Sequence, residues 1–202
     1  MRYGLFLASS ICFVPAVTNS LPVRAISQHR IMISNFFFSS SSFPHAPIKG
    51  VTYAEDGSVT SCIFCNIVKG TEPATVVAEN DELIAFRTIA PVTAQHLLIC
   101  PKAHIKNAGS LTSLSDADLI ERMQKFGSDT IDTFFPTSVA KRFCFHMPPF
   151  NSIDHLHLHC IAQPETMSWL GHIKYYDQTF YCYSSERVVN ILRGYNKSKG
   201  SG

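Results

Sequence analysis

FHMPPFNSIDHLHLHC, residues 145–160, sets His155, His157 and His159 on alternate positions with Leu156, Leu158 and Cys160 between them. In an extended chain successive side chains point to opposite faces, and residues two apart lie ~6.6 Å from one another on the same face. The three imidazoles therefore share one face. The leucines and the cysteine point the other way, and the apolar continuation Ile161-Ala162 makes 155–162 read as a strand with a buried side.

Two chemistries fit such a row. Zinc accepts two histidines at i and i+2 with further ligands from elsewhere in the chain. Nucleophilic catalysis needs a neutral imidazole whose far nitrogen is tied by a hydrogen bond, with donors close by. The segment ahead of the histidines offers the second setting: Pro148 and Pro149 stiffen the approach, and Asn151 and Ser152 bring an amide and a hydroxyl to the turn.

The pattern His155-Leu-His157-Leu-His159-Cys-Ile resembles the signature of the histidine triad (HIT) superfamily of nucleotide hydrolases and transferases. CIFCNIVKG (62–70), ELIAFRTIAPVTAQHLLICPKAHI (82–105) and FHMPPFNSIDHLHLH look like successive segments of that family, and the likeness runs over about residues 62–195. The FHMPPF lead-in is most like the adenosine phosphoramidase branch. This implies an α+β, HIT-like fold with an antiparallel sheet of about five strands, one long helix and a short N-terminal helix.

Carried over residue by residue, the resemblance makes His157 the nucleophile. His155 and His159 orient or polarise the site, His96 matches a fourth histidine beside the triad, and Ser152 matches a hydroxyl on the phosphate or leaving group. A histidine rather than a glutamine at 159 implies hydrolysis. Ile63, Phe64, Ile67, Phe86 and Ile89 match an apolar slot for a purine, while His146 and Asn151 are further substrate contacts. Family members usually place an acidic residue where this chain has Thr88, so a charge-assisted contact to the ribose hydroxyls is replaced by a single hydroxyl. The implied partners are a purine nucleotide substrate and a second copy in a homodimer, with no cofactor needed for catalysis. A DNA-adenylate hydrolase of the aprataxin type, a dinucleoside polyphosphate hydrolase and a nucleotide-binding regulator of low activity are the alternatives.

Cys62-x-x-Cys65 reads as a redox pair, half of a zinc site, or two residues sharing a helical turn. In some family members the equivalent cysteines join two histidines around zinc. Here those are His104 and His155, which gives four candidate ligands for a structural zinc. The other cysteines follow no disulfide framework, and Cys100 and Cys160 fall in apolar strand patterns.

Coarse patterning places a short helix at IFCNIVKG ending on Gly70, then strands in ATVVAEN, ELIAFRTI and QHLLICP with Asn80-Asp81 turning between the first two. Ser115 and Asp118 form a capping-box pattern ahead of a long helix carrying Leu119, Ile120, Met123, Ile131 and Phe134, with Gly127 a weak point inside it. Strands at 140–147 and 155–162 complete the sheet.

The 202 residues, 46% of them apolar, suit one domain with an appendage. The predicted organisation is a targeting or disordered leader over 1–50, a linker over 51–61, a catalytic domain over 62–164 and a C-terminal extension with a helix over 165–202. Residues 1–54 lack acidic side chains but carry Arg2, Arg24, Arg30 and Lys49, leaving 13 basic against 15 acidic residues in the remainder. A mildly acidic domain argues against holding long nucleic acid through neutralised phosphates.

The leader opens with MRYGLFLASSICFVPA, too short an apolar run to span a membrane and similar to a signal core, with Val14 and Ala16 at a candidate cleavage site. FFFSSSSFP (36–44) then has the composition of a transit peptide. Together they point to a plastid reached through the secretory route or to a mitochondrion, with cytoplasm or nucleus as the alternative.

Overall fold

The computed structural model describes residues 48–135 and 139–199, and the side chains of all of these except 48 and 195–199. The leader read from the sequence lies almost wholly outside them. Among the described residues no helix is long and apolar enough to cross a membrane.

The fold is α+β. Its centre is a six-stranded antiparallel sheet built from β3 (Val76–Glu79), β4 (Leu83–Arg87), β5 (His96–Pro101), β6 (Lys141–His146), β7 (Leu158–Ala162) and β8 (Cys182–Ser184). The strands run in the order β3-β4-β5-β7-β6-β8. A separate hairpin, β1 (Val51–Tyr53) with β2 (Val59–Cys62), leads into α1 (Ile63–Lys69). Asn80 turns the chain between β3 and β4 because its Oδ1 accepts from the backbone N–H groups of Glu82 and Leu83, at 2.9 and 2.7 Å. An Asx side chain doing this closes a turn without a glycine.

Both faces of the sheet are covered, so its central strands β5 and β7 are buried at every position rather than at alternate ones. Leu83, Ala85, Leu97, Ile99, Leu158 and Cys160 meet α2 (Leu114–Asp132) through Ile120, Met123 and Phe126. Beside α2 lies α4 (Ser185–Lys199), contributing Val188, Val189 and Leu192. On the opposite face Ile84, Phe86, Leu98 and Cys100 meet Phe64 and Ile67 of α1. Each large side chain buried this way contributes about 1.5–3 kcal/mol. A third cluster closes the β8 end of the sheet, where Cys144, Ile161, Met167, Tyr175 and Cys182 pack together. Short helix α3 (Trp169–Lys174) delivers Tyr175 to it.

α1 ends where the sequence indicates, on Gly70 in the left-handed region. The start of α2 differs. The capping box is Ser113 with Asp116, not Ser115 with Asp118: Ser113 Oγ accepts from Asp116 N at 3.1 Å and Asp116 Oδ2 accepts from Ser113 N at 2.8 Å. Two overlapping Ser-x-x-Asp patterns compete here, and the earlier one also lets Asp116 Oδ2 take the Thr112 N–H at 2.8 Å. At the other end α2 stops at Asp132, so Phe134 lies beyond the helix and is exposed. Gly127 is a point of contact rather than weakness. A Cβ there would sit 2.5 Å from Cys160 Sγ and 3.1 Å from Ile99 Cγ1, so the missing side chain lets α2 lie directly on β5 and β7.

Three further readings are corrected. Residues 51–61 are a hairpin and not a linker: Asp56 Oδ1 accepts from Ser58 N, Gly57 takes a positive φ at the turn, and Val51 is buried opposite Cys62. Lys49, placed in the leader by the sequence reading, is tied to the domain as well, since its carbonyl accepts from Asp154 N at 3.0 Å. Residues 165–199, read as a C-terminal extension with a helix, are built into the domain, because Cys182–Ser184 pairs with β6 as the sixth strand and α4 packs along α2. Finally, the last strand of the signature starts at Leu158, not at 155. Residues 155–157 are held instead by Leu156 N donating to Ile105 O and by a bond from the His157 ring to the backbone of His155.

Candidate active site

Leu156, Leu158 and Cys160 enter the core beneath α2. The three histidines therefore line the other side, as the alternation requires, and all three are buried. Each belongs to a different set of partners.

His155 faces a cluster of sulfur and nitrogen. Its Nε2–H donates to Pro101 O at 2.9 Å, so Nδ1 keeps its lone pair. That nitrogen lies 3.4 Å from Cys62 Sγ and 3.5 Å from Cys65 Sγ, while His104 Nδ1 lies 3.4 Å from Cys65 Sγ. The four atoms all fall within 4.8 Å of one another. A tetrahedral zinc with sulfur and nitrogen ligands separates them by ~3.3–3.8 Å, so the donor set, the spacing and the carbonyl behind His155 fit that metal. Burial pushes the Cys65 thiol up to about 11, so without a cation the sulfur stays protonated and hydrogen-bonds an imidazole instead.

His157 is held on three sides. Its Nδ1–H donates to His155 O at 2.6 Å, which leaves Nε2 unprotonated. The Phe64 ring meets it edge-on at 5.4 Å, and the His159 ring at 5.2 Å. Burial in these surroundings lowers its pKa from 6.5 to about 4, so the ring is neutral throughout the physiological range. A small cavity touches it, lined among others by Asn107, Phe145, His146 and Asn151.

His159 sits between two other histidines. His96 Nε2 is 3.0 Å from its Nδ1, and His146 Nδ1 is 3.1 Å from its Nε2. Tyr175 packs against all three rings, with centroids 5.1 Å from His96, 5.0 Å from His146 and 5.1 Å from His159. Burial lowers the pKa of His96 to about 4 and holds His159 well below the ordinary value, with Lys174 adding to both effects.

Residues 61–175 match the family described as scavenger mRNA decapping enzyme C-term binding. Among characterised proteins, the bifunctional adenosine 5'-phosphosulfate phosphorylase/adenylylsulfatase HINT4 of Arabidopsis thaliana is 40% identical over 116 residues, 57% of this chain and 78% of its own length. The adenosine 5'-monophosphoramidase HINT3 of Mus musculus is 31% identical over 137 residues, 66% of this chain and 82% of its own. The chain belongs to the histidine triad superfamily. A solved HIT family hydrolase from Legionella pneumophila is 30% identical, with 50% of this chain and 91% of that one covered and a TM-score of 0.45.

Within this HIT chain the expected site residues divide. His96, His155, His157, His159 and His146 converge, as do Cys62, Cys65 and His104. Phe64, Ile67 and Phe86 are buried in one cluster with Ile63 at its edge, but Ile89 is fully exposed and packs with none of them. Ile89 stands in the bend after β4, where the chain has left the sheet. Thr88 is half-buried and its Oγ1 accepts from Ala90 N at 3.3 Å, a local bond that shapes the same bend. Ser152 is exposed on the turn before the triad. Asn151 is buried and engaged at both ends of its amide: Oδ1 accepts from Lys49 Nζ, and Nδ2 donates to Ile153 O and Asp154 Oδ1. It braces the loop rather than presenting a free amide.

Sequence reasoning missed Tyr175 and the two backbone groups that terminate the histidine cluster, the Val92 N–H and the Lys174 carbonyl. Main-chain partners carry no residue signature. Tyr175 lay in a segment read as a C-terminal extension, and it is brought to the site by packing against Cys144, Ile161 and Cys182 and by Arg142 Nη1 donating to its carbonyl at 2.9 Å.

Proposed function

We propose that the chain hydrolyses adenosine 5'-phosphoramidates or acyl-adenylates to AMP through a covalent nucleotidyl-histidine on His157. The observation that carries this reading is the tie of His157 Nδ1–H to His155 O at 2.6 Å, which leaves Nε2 as a neutral nucleophile. In the first step Nε2 forms a bond to the α-phosphorus and the bond from phosphorus to the leaving group breaks, a leaving amine taking a proton from solvent and a leaving carboxylate departing as the anion. In the second, water attacks phosphorus and gives its proton to solvent, the P–Nε2 bond breaks with its electron pair returning to the ring, and AMP leaves. Splitting one displacement in two is favourable because a neutral imidazole is a better nucleophile near pH 7 than water. The names of the similar proteins, an adenosine 5'-monophosphoramidase and an adenylylsulfatase, support an adenylyl group as the part transferred.

Cys62, Cys65, His104 and His155 would hold a zinc ion, whose contribution is structural: it fixes His155, and the carbonyl of His155 in turn fixes His157. The apolar cluster of Phe64, Ile67 and Phe86 supports a purine on this side of the sheet. Phe64 both belongs to that cluster and abuts the nucleophile's ring, so base and α-phosphate are bound by adjoining groups.

The test is a panel of three substrates: an adenosine phosphoramidate with a fluorogenic amine, adenylated DNA and a diadenosine polyphosphate. The phosphoramidate should turn over with the highest kcat/KM. Preference for either of the others reassigns the leaving group, and AMP binding without any turnover removes the enzymatic reading.

A further inference from the structure

Three imidazoles in a row can be protonated in several patterns, but both ends of this row are backbone groups with a fixed sense. At one end the Val92 N–H donates to His96 Nδ1 at 3.4 Å. That nitrogen must be the acceptor, so the proton of neutral His96 is on Nε2, which donates to His159 Nδ1 at 3.0 Å. His159 then carries its own proton on Nε2, which donates to His146 Nδ1 at 3.1 Å. At the other end the Lys174 carbonyl can only accept, and it takes the His146 Nε2–H at 3.1 Å. Worked inward from either end, the assignment is the same: every ring is neutral and protonated on Nε2.

We propose that His146 is a positioning residue, the outer member of a one-directional file that locks His159 in a single tautomer and orientation beside the nucleophile, and not a contact to substrate. The proposal rests on His157 being the nucleophile. With His96 on one nitrogen and His146 on the other, His159 has no ring nitrogen left for substrate. What it presents is its ring, standing 75° to that of His157 at 5.2 Å. Removing His146 leaves His159 with its bond to His96 alone, and the ring that abuts His157 is no longer fixed at both nitrogens. Tyr175 packs on all three rings of the file and the Lys174 carbonyl ends it, so these two residues help to position it.

The experiment uses full-length protein labelled with ¹⁵N in histidine, with long-range proton–nitrogen spectra and steady-state kinetics on the phosphoramidate. In the wild type His96, His159 and His146 should each show a protonated Nε2 and a bare Nδ1. His146→Leu should abolish the hydrogen-bonded Nε2–H signature of His159 and lower kcat by at least about tenfold with KM little changed. That loss is smaller than the ~10⁴ seen where a catalytic triad's histidine adopts the wrong tautomer, because His96 still donates on the other side. His146→Asn places an amide oxygen where Nδ1 was, and should restore both the signature and most of kcat. A wild-type His159 protonated on Nδ1 overturns the proposal, as does an unchanged kcat in the leucine variant or a rise in KM alone. The spectra need no turnover, so they decide on the file even if no phosphoramidate is cleaved, and the wild-type spectrum decides even if the leucine variant does not fold.

Discussion

Acid should destabilise this protein through its buried histidines. His96 and His157 are both neutral in the fold, with pKa lowered from 6.5 to about 4 by burial. In the unfolded chain each returns to the ordinary value and binds a proton below it. The folded state thus binds fewer protons, and stability must rise with pH through this window. The contribution is complete above 6.5 and disappears as pH falls toward 4. Each group is worth roughly 3 kcal/mol at neutral pH, since a tenfold change in proton affinity corresponds to about 1.4 kcal/mol. Between pH 7 and pH 5 the two together remove about 4 kcal/mol, a large share of the roughly 5–15 kcal/mol by which domains are stable. Half-buried His146 and buried His159 are displaced in the same direction and add to the loss. Glu82 and Asp116 are held below their ordinary values by hydrogen bonds, so they titrate beneath this range and do not confuse it. Urea denaturation at pH 7, 6 and 5 is the assay. With a slope of about 1–3 kcal/mol per molar, the midpoint should fall by more than about 1 M from the highest pH to the lowest. A midpoint flat within error would mean that the histidines are solvated or already charged in the fold, and the neutral-nucleophile argument would go with it.

Gly127→Ala should destabilise by about 1 kcal/mol, the cost of overpacking less the gain in helix propensity; Tm should drop by a few degrees, and adding Cys160→Ala should restore it by removing the sulfur that the new methyl meets. Cys62→Ser with Cys65→Ser should lose the roughly one zinc per chain expected of a four-ligand site, lowering Tm and activity together. Metal analysis of protein expressed in zinc without a polyhistidine tag is the check, and an active, metal-free wild type refutes it. Thr88→Asp should tighten AMP binding by about 1–2 kcal/mol if the absent carboxylate weakens the ribose contact, as titration calorimetry would read; an unchanged or weaker affinity means that the ribose is held elsewhere.

What was legible in the sequence is what local chemistry writes there. Strict alternation at 155–160 announced one histidine face and one core face, and Gly70 and Asn80 marked their turns because each supplies a conformation or an acceptor that the backbone needs. Gly127 was misread because a glycine in a helix looks like a defect until its partner is known, and Cys160 lies on a distant strand. The capping box of α2 could not be chosen between two overlapping patterns without the packing of Ala117 and Ile120, which sets the helix phase. His146 was recognised as part of the site, but its two partners could not be read there, since they are another histidine's ring and a main-chain carbonyl distant in sequence.

The central claim is that His157 becomes covalently adenylylated, and trapping tests it most directly. Wild-type protein mixed with an adenosine phosphoramidate labelled on the α-phosphate, quenched in base within a turnover, should carry one acid-labile adenylyl group on the peptide containing His157. His157→Ala should keep its fold, take no label, and turn over more slowly by a factor on the order of 10⁴. Label on another residue, or undiminished turnover in the alanine variant, would contradict the account.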